Sequence, residues 1–323
     1  MKIGKTLTGA VLGIAFATCV QAQTCSLVQM ASLDMTILPD GRVTVPVTIN
    51  GVSQSLVVNT ASMYSGIPID TAQSLGLKQA RRYAEMYGVG GGGPETVTTA
   101  TVESLKVGPV EAKNFHLVAA GQKARWPKGV DGTVGPDILA SFDVEFDFSG
   151  RKLNLFSQDH CRNKVVYWTK GGYAEIPFHL TGDQQIRFDM TLDGHRVSTN
   201  FETGSANTWL RRKDAYQIFG ISDDSPGVTA SPFAAKDWPV LRKRFGSLEL
   251  GGLAVQNPEI DVLPDKELDA FRMEHSEKSR DDPIYGSSLD LSELALGMNV
   301  IGKVHTYIAY KEHKLYITAA DAR

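Results

Sequence analysis

Apolar and polar residues alternate along much of this chain, and the alternation comes in two rounds. Residues 43–49, 55–58, 96–102, 144–148 and 153–156 alternate or run apolar, as strands with at least one buried face do. A short helix is predicted over Asp70 to Leu75, with Asp70 as N-cap and Gly76 as its stop. Thr48-Ile49-Asn50-Gly51 leads into Val52-Ser53-Gln54-Ser55-Leu56-Val57-Val58 and then Asn59-Thr60-Ala61-Ser62. Thr191-Leu192-Asp193-Gly194 leads into His195-Arg196-Val197-Ser198-Thr199-Asn200-Phe201 and then Glu202-Thr203-Gly204-Ser205, and the two segments align without a gap. Asn-Gly or Asp-Gly between alternating strands is the strongest short-range hairpin signal, because both turn residues tolerate positive φ.

The same register carries Ser104-Leu105-Lys106-Val107-Gly108 onto Ser247-Leu248-Glu249-Leu250-Gly251, and Asn114 onto Asn257. After extra residues in the second copy, Val134-Gly135 matches Leu296-Gly297. Phe146, Phe148, Lys152, Leu153 and Leu155 then fall on Ile308, Tyr310, Lys314, Leu315 and Ile317. Two copies of this period are too long and too few for a solenoid. The expected architecture is all-β and duplicated, with lobes at 41–158 and 176–323. A connector at 159–175, containing Lys170-Gly171-Gly172, joins them.

The first 22 residues have a different character. Lys2 and Lys5 precede an apolar run that closes at Val20-Gln21-Ala22, the pattern of a cleaved secretory signal peptide. A membrane span needs roughly 20 unbroken apolar residues, and Thr8, Gly9, Gly13, Thr18 and Gln21 interrupt this run. Acylation of Cys19 is disfavoured by Thr18 before it. The expected mature chain starts with a segment at 23–40 and is a soluble, secreted or periplasmic monomer with no stable membrane insertion. Of 33 basic and 36 acidic side chains, loss of Lys2 and Lys5 leaves 31 against 36, a net charge of −5. That balance gives no reason to expect nucleic acid as a partner. Cleavage also removes Cys19, and the remaining pair, Cys25 and Cys161, suggests one disulfide in an oxidising compartment.

Residues 83–100 hold Gly88, Gly90, Gly91, Gly92 and Gly93 between strand-like flanks. They read either as a hairpin over a substrate cleft or as a surface loop. Phosphate binding is excluded, since no Lys-Ser or Lys-Thr follows and Pro94 blocks a helix start. Taken in order and in duplicate, these elements resemble the retropepsin-like and pepsin-like aspartic peptidases. The elements are hairpin, apolar strand, polar triplet with a following Ser, glycine-bearing segment, Ser-Leu-x-x-Gly strand and apolar-apolar-Gly. The resemblance implies two β-barrel lobes about a pseudo-twofold axis with a central cleft. In that family each lobe supplies an Asp-Thr-Gly triplet, and the apolar-apolar-Gly element buttresses it. Here the triplets read Asn59-Thr60-Ala61 and Glu202-Thr203-Gly204, followed by Ser62 and Ser205, with Gly135 and Gly297 in the buttresses.

Peptide hydrolysis of this kind uses two carboxylates about 3 Å apart, which cannot both ionise, so that one removes a proton from water and the other polarises the carbonyl. Asn59 can donate a hydrogen bond but cannot exchange proton roles. Glu202 keeps a carboxylate on a longer arm, where a displacement of about 1 Å can cost about 100-fold. Ala61 adds a Cβ where the loop prefers none. Thr60 and Thr203 are intact. The expectation is a retained fold with impaired chemistry that binds extended peptide or a protein partner in the cleft; the alternative is an atypical endopeptidase using Glu202. Asp131 and Asp137 flank Val134-Gly135, and the family resemblance gives the acid after that element a supporting role, with Asn299 as its counterpart. Gly-x-Ser-x-Gly, His-Glu-x-x-His and Cys-x-x-Cys motifs are missing, and the seven histidines are scattered, so neither metal nor cofactor is expected. The charged run Asp265 to Asp282 reads as a solvated loop or helix, and Trp126 and Trp238 as cleft-mouth or packing residues.

Overall fold

The computed structural model describes residues 26–86, 95–182, 184–235, 238–265 and 292–320. The leader, Cys25, the glycines at 88 and 90–93, and most of the charged run with His275 fall outside them. Both hairpin turns form as the sequence demands. Asn50 and Gly51 have φ of 48° and 84°, and Asp193 and Gly194 have 46° and 82°, the paired positive φ that matches the twist of the flanking strands.

Strands Val43–Ile49 and Ile186–Leu192 bury the same positions one for one. Each pairs with the next strand, Val52–Val58 and His195–Phe201 respectively. Each also pairs with the Ser-Leu-x-x-Gly strand of its own lobe, through Ile49 with Leu105 and Leu192 with Leu248. The first lobe is built on an eight-stranded sheet and the second on a ten-stranded one. A six-stranded sheet takes strands from both halves of the chain. It joins them where Asp143–Asp147 pairs antiparallel with Val304–Ala309, setting Glu145 beside Tyr307. One apolar core runs from Ala31 through Phe146 and Phe201 to Ile317.

The connector is more than a flexible link. It covers the outer face of the shared sheet, with Val165 buried among Phe156, Tyr307, Ala309 and Tyr316. It is tied there by polar bonds from His160 to Asp143 (2.5 Å) and from the Tyr167 hydroxyl to Glu145 (2.7 Å).

One expectation is corrected. The short helix spans Ile69–Ser74 and Pro68 holds its cap position without a side-chain bond. Asp70 sits inside the first turn, and its carboxylate accepts the backbone N–H of Lys123 at 2.9 Å. Proline at the boundary fixes the entry angle by its ring, which frees the aspartate to tie the helix to the neighbouring turn. Gly76 follows the helix with φ of 64°, as a stop should.

Candidate functional site

The two polar triplets meet at the junction of the lobes. Strand Val52–Val58 delivers Asn59, whose N–H donates to the Val134 carbonyl at 2.9 Å. Strand His195–Phe201 delivers Glu202, whose N–H donates to Leu296 at 3.0 Å. In each case the apolar-apolar-Gly strand runs parallel alongside, Val58 beside Val134 and Phe201 beside Leu296. Glycine is required in these buttresses by close approach. A Cβ on Gly135 would lie 2.9 Å from the Tyr64 carbonyl carbon, and one on Gly297 would lie 2.2 Å from the Asn207 oxygen.

Behind each buttress a hydroxyl and a polar side chain brace the loop. Gly135 N–H donates to Ser65 Oγ, which donates to Asp137 at 2.6 Å. Gly297 N–H donates to Thr208 Oγ1, which donates to Asn299 at 2.8 Å. Asp137 also accepts the Ser65 N–H at 2.9 Å. Burial raises its pKa against the pull of these bonds. Asp131 accepts Ser55 N–H at 2.8 Å and pairs with Lys123 at 2.5 Å. Both acids are therefore engaged away from the triplets.

Thr60 and Thr203 lock the lobes together. The Thr60 hydroxyl donates to Phe201 O at 2.6 Å and the Thr203 hydroxyl to Val58 O at 2.7 Å. Each hydroxyl also accepts the other threonine's N–H, at 3.1 and 3.2 Å. Both residues are fully buried. Reciprocal bonds of this kind fix the relative position of the two loops to within a hydrogen-bond length.

The symmetry fails at the outer positions of the triplets. The Asn59 amide lies flat against Gly204, where an added Cβ would sit 2.3 Å from Asn59 Cγ and Nδ2. Its oxygen accepts the Ala61 N–H at 3.0 Å. At the matching position of the first triplet stands Ala61, with the Cβ that Gly204 lacks, and the second acid position holds Glu202. Its carboxyl is buried and hydrogen-bonded with the Trp209 side chain. Burial pushes its pKa up to about 7, against the opposing effect of that bond. The residue as a whole is half-buried. Ser62 and Ser205 turn back to donate to Tyr64 O and Asn207 O, at 2.6 and 2.8 Å.

Beside the first triplet a cavity of about 150 Å³ is lined by Ser62, Tyr64, Gly66, Ile67, Val118, Ala120, Trp126 and Thr133. In the second lobe the corresponding positions belong to a buried apolar cluster of Trp209, Trp238, Val240, Leu263 and Ala295. Sequence reasoning placed Trp126 and Trp238 loosely and missed Gly66 and Trp209. Continuing the gapless alignment past the triplets would have paired these two positions. Among the described residues no group of His, Cys, Asp and Glu is arranged to hold a metal ion, and no helix is long and apolar enough to cross a membrane.

Residues 45–138 match the aspartyl protease family. A search of curated proteins returns no match. Among solved structures, basic 7S globulin from soybean is similar at 10% identity and a TM-score of 0.47, over 92% of this chain and 96% of that one. The first lobe carries that family's sequence pattern around a triplet loop whose threonine lock is built jointly with the second lobe.

Proposed function

We propose that this is an exported, catalytically impaired aspartic-peptidase-like protein that binds extended peptide, or an extended segment of a protein, in the cleft between its lobes. The observation that carries the reading is the asymmetry of the triplets. Asn59 occupies one acid position against Gly204, Ala61 stands in the first triplet where the second has Gly204, and the Glu202 carboxyl bonds with Trp209. One carboxyl and one amide cannot share a water and trade proton roles through a hydrolytic cycle. The intact threonine lock keeps the cleft in place, and backbone hydrogen bonding to an extended chain needs no catalytic acid.

A second reading rests on Glu202 itself. A carboxyl with a pKa of about 7 in a cleft is poised to give or take a proton near neutrality, so an atypical endopeptidase remains the rival. Incubating the purified mature chain and Glu202→Gln with an unbiased peptide library from about pH 3 to pH 8 separates the two. We expect peptides to be retained uncut by both proteins. Cleavage that disappears in Glu202→Gln, with the variant shown to be folded, would establish the rival. Export, a monomeric state and a Cys25–Cys161 disulfide belong to the same proposal. They are tested by the N-terminus of the secreted chain, its mass in solution and its free-thiol count.

A further inference from the structure

The structure assigns Gln185 a positioning role in the proposed cleft: a relay of hydrogen bonds from Arg187 through Asn200 and Gln185 crosses from the second lobe and fixes the direction of the Asn59 amide. Its consequence for a ligand rests on the cleft-binding reading, whereas the relay does not. Arg187 and Asn200 face each other across neighbouring strands, and both are buried. Arg187 Nε donates to Asn200 Oδ1 at 2.7 Å, and Asn200 Nδ2 donates to Gln185 Oε1 at 2.5 Å. Gln185 Nε2 then reaches the other lobe and donates to the Ala61 carbonyl at 3.1 Å. The Gln185 backbone is held by Thr181, whose hydroxyl accepts its N–H at 3.1 Å and whose N–H donates to its carbonyl at 3.0 Å.

The chemistry of the two ends dictates the direction of the relay. A guanidinium has donors only, so the Asn200 oxygen must face Arg187 and its NH2 must face Gln185. Gln185 accepts with its oxygen and keeps its NH2 for Ala61, whose carbonyl can only accept. Reversing either amide would set donor against donor or acceptor against acceptor and leave a buried polar group unpaired. Ala61 is thereby held on both sides, by Gln185 at its carbonyl and by the threonine lock at Thr60 before it. Its N–H then fixes Asn59, whose oxygen must turn towards it. The Asn59 NH2 is left for the cleft, and among the described residues no group accepts from it. The first lobe builds no such relay. Strand register equates Gln185 with Arg42, Arg187 with Thr44 and Asn200 with Val57. Arg42 folds back on Asp40 at 2.9 Å, Val57 has no polar side chain, and among the described residues no side chain donates to the Gly204 carbonyl. Positioning runs one way, from the second lobe to the first triplet.

The test exchanges donors and acceptors along the relay. Asn200→Asp still accepts from Arg187 but cannot donate to Gln185, whose NH2 then turns to the carboxylate and away from Ala61. Adding Gln185→Lys puts a donor between that carboxylate and the Ala61 carbonyl, so the double variant should recover what the single variant loses. Gln185→Met removes both bonds at nearly constant volume. Hydrogen exchange of the Ala61 N–H and the Asn59 side-chain amide signal are read in each folded chain. We expect Ala61 exchange to accelerate about 5- to 10-fold in Asn200→Asp and in Gln185→Met, with the Asn59 signal displaced. Both readouts should return to the native values in the double variant. Should either single variant fail to fold, the other and the double variant carry the same comparison. Native exchange at Ala61 in a folded single variant, or a double variant more perturbed than Asn200→Asp, would overturn the relay. The mixed peptide library of the cleavage assay, titrated into the native chain, should shift the Asn59 signal, and Asn200→Asp should weaken that response about 5- to 10-fold. Silence of the Asn59 signal towards the library would remove the cleft reading and the role of Gln185 towards a ligand, with the relay still decided by the exchange data.

Discussion

Replacing Glu202 by glutamine tests the burial of its carboxyl directly. Glutamine copies the shape and hydrogen-bonding capacity of the protonated acid but cannot ionise. The Glu202 pKa rises from 4.5 to about 7 on folding, because burial disfavours the carboxylate more than the Trp209 bond supports it. With the folded pKa above the unfolded one, the contribution of this group to stability is fully present below pH 4.5. It is lost progressively as the pH climbs to about 7, and the loss is complete above that. Each factor of ten in acidity corresponds to about 1.4 kcal/mol, so the ceiling on the loss is about 3 kcal/mol. Denaturant unfolding of the native chain and Glu202→Gln, followed at several pH values from 4 to 8.5, reads this difference. The two proteins should be nearly equal at pH 4, and the glutamine variant should be more stable by up to about 3 kcal/mol at pH 8.5. A difference that stays constant across the range would mean that the carboxyl is solvated in the cleft, and the asymmetric-triplet reading would fail with it.

Thr60→Val or Thr203→Val leaves a buried carbonyl without its donor, Phe201 O or Val58 O. Each should cost about 1–3 kcal/mol, with the double variant costing less than the sum, measured by denaturant unfolding. Gly204→Ala introduces a Cβ 2.3 Å from the Asn59 amide and should displace Asn59, seen as a large shift of its side-chain signal. Restoring Asp-Thr-Gly in both lobes with Asn59→Asp, Ala61→Gly and Glu202→Asp should produce acid-dependent peptide cleavage where Glu202→Asp alone does not. Library proteolysis checks both variants. Burial works against charge on His160, but its bonds with Asp143 and the Cys161 carbonyl, and the charges of Asp143 and Glu312, outweigh it and raise its pKa. Stability held by this imidazolium is fully present below pH 6.5 and falls as the pH rises through the raised value. Burial likewise raises the pKa of Asp143, against its bonds with His160, Tyr307 and the Tyr310 N–H, which adds a loss of the same sign beginning at lower pH. His160→Gln should therefore flatten the decline in unfolding free energy between pH 6 and 9.

Much of the fold was legible in the sequence because its signals are local. Strand alternation has a period of two, and Asn50-Gly51 and Asp193-Gly194 need positive φ at both turn residues. Their recurrence in one register exposed the duplication and the positions of Asn59, Thr60, Glu202 and Thr203. The loss of proton exchange at Asn59 and the longer arm of Glu202 follow from residue type alone. What the sequence did not decide depends on groups far apart in the chain. Asp70 lies at a helix start, yet it bonds Lys123 because the turn at 123–125 folds beside it. The connector reads as a Gly- and Lys-bearing link, yet it is clasped to the shared sheet through Asp143 and Glu145. The Asn59 amide packs against Gly204, contributed by the other lobe, and the Glu202 carboxyl is buried beside Trp209. Backbone pattern follows from φ, ψ and neighbouring side chains. The direction of a buried polar side chain follows from which distant partner satisfies it, and only the packed structure brings those partners together.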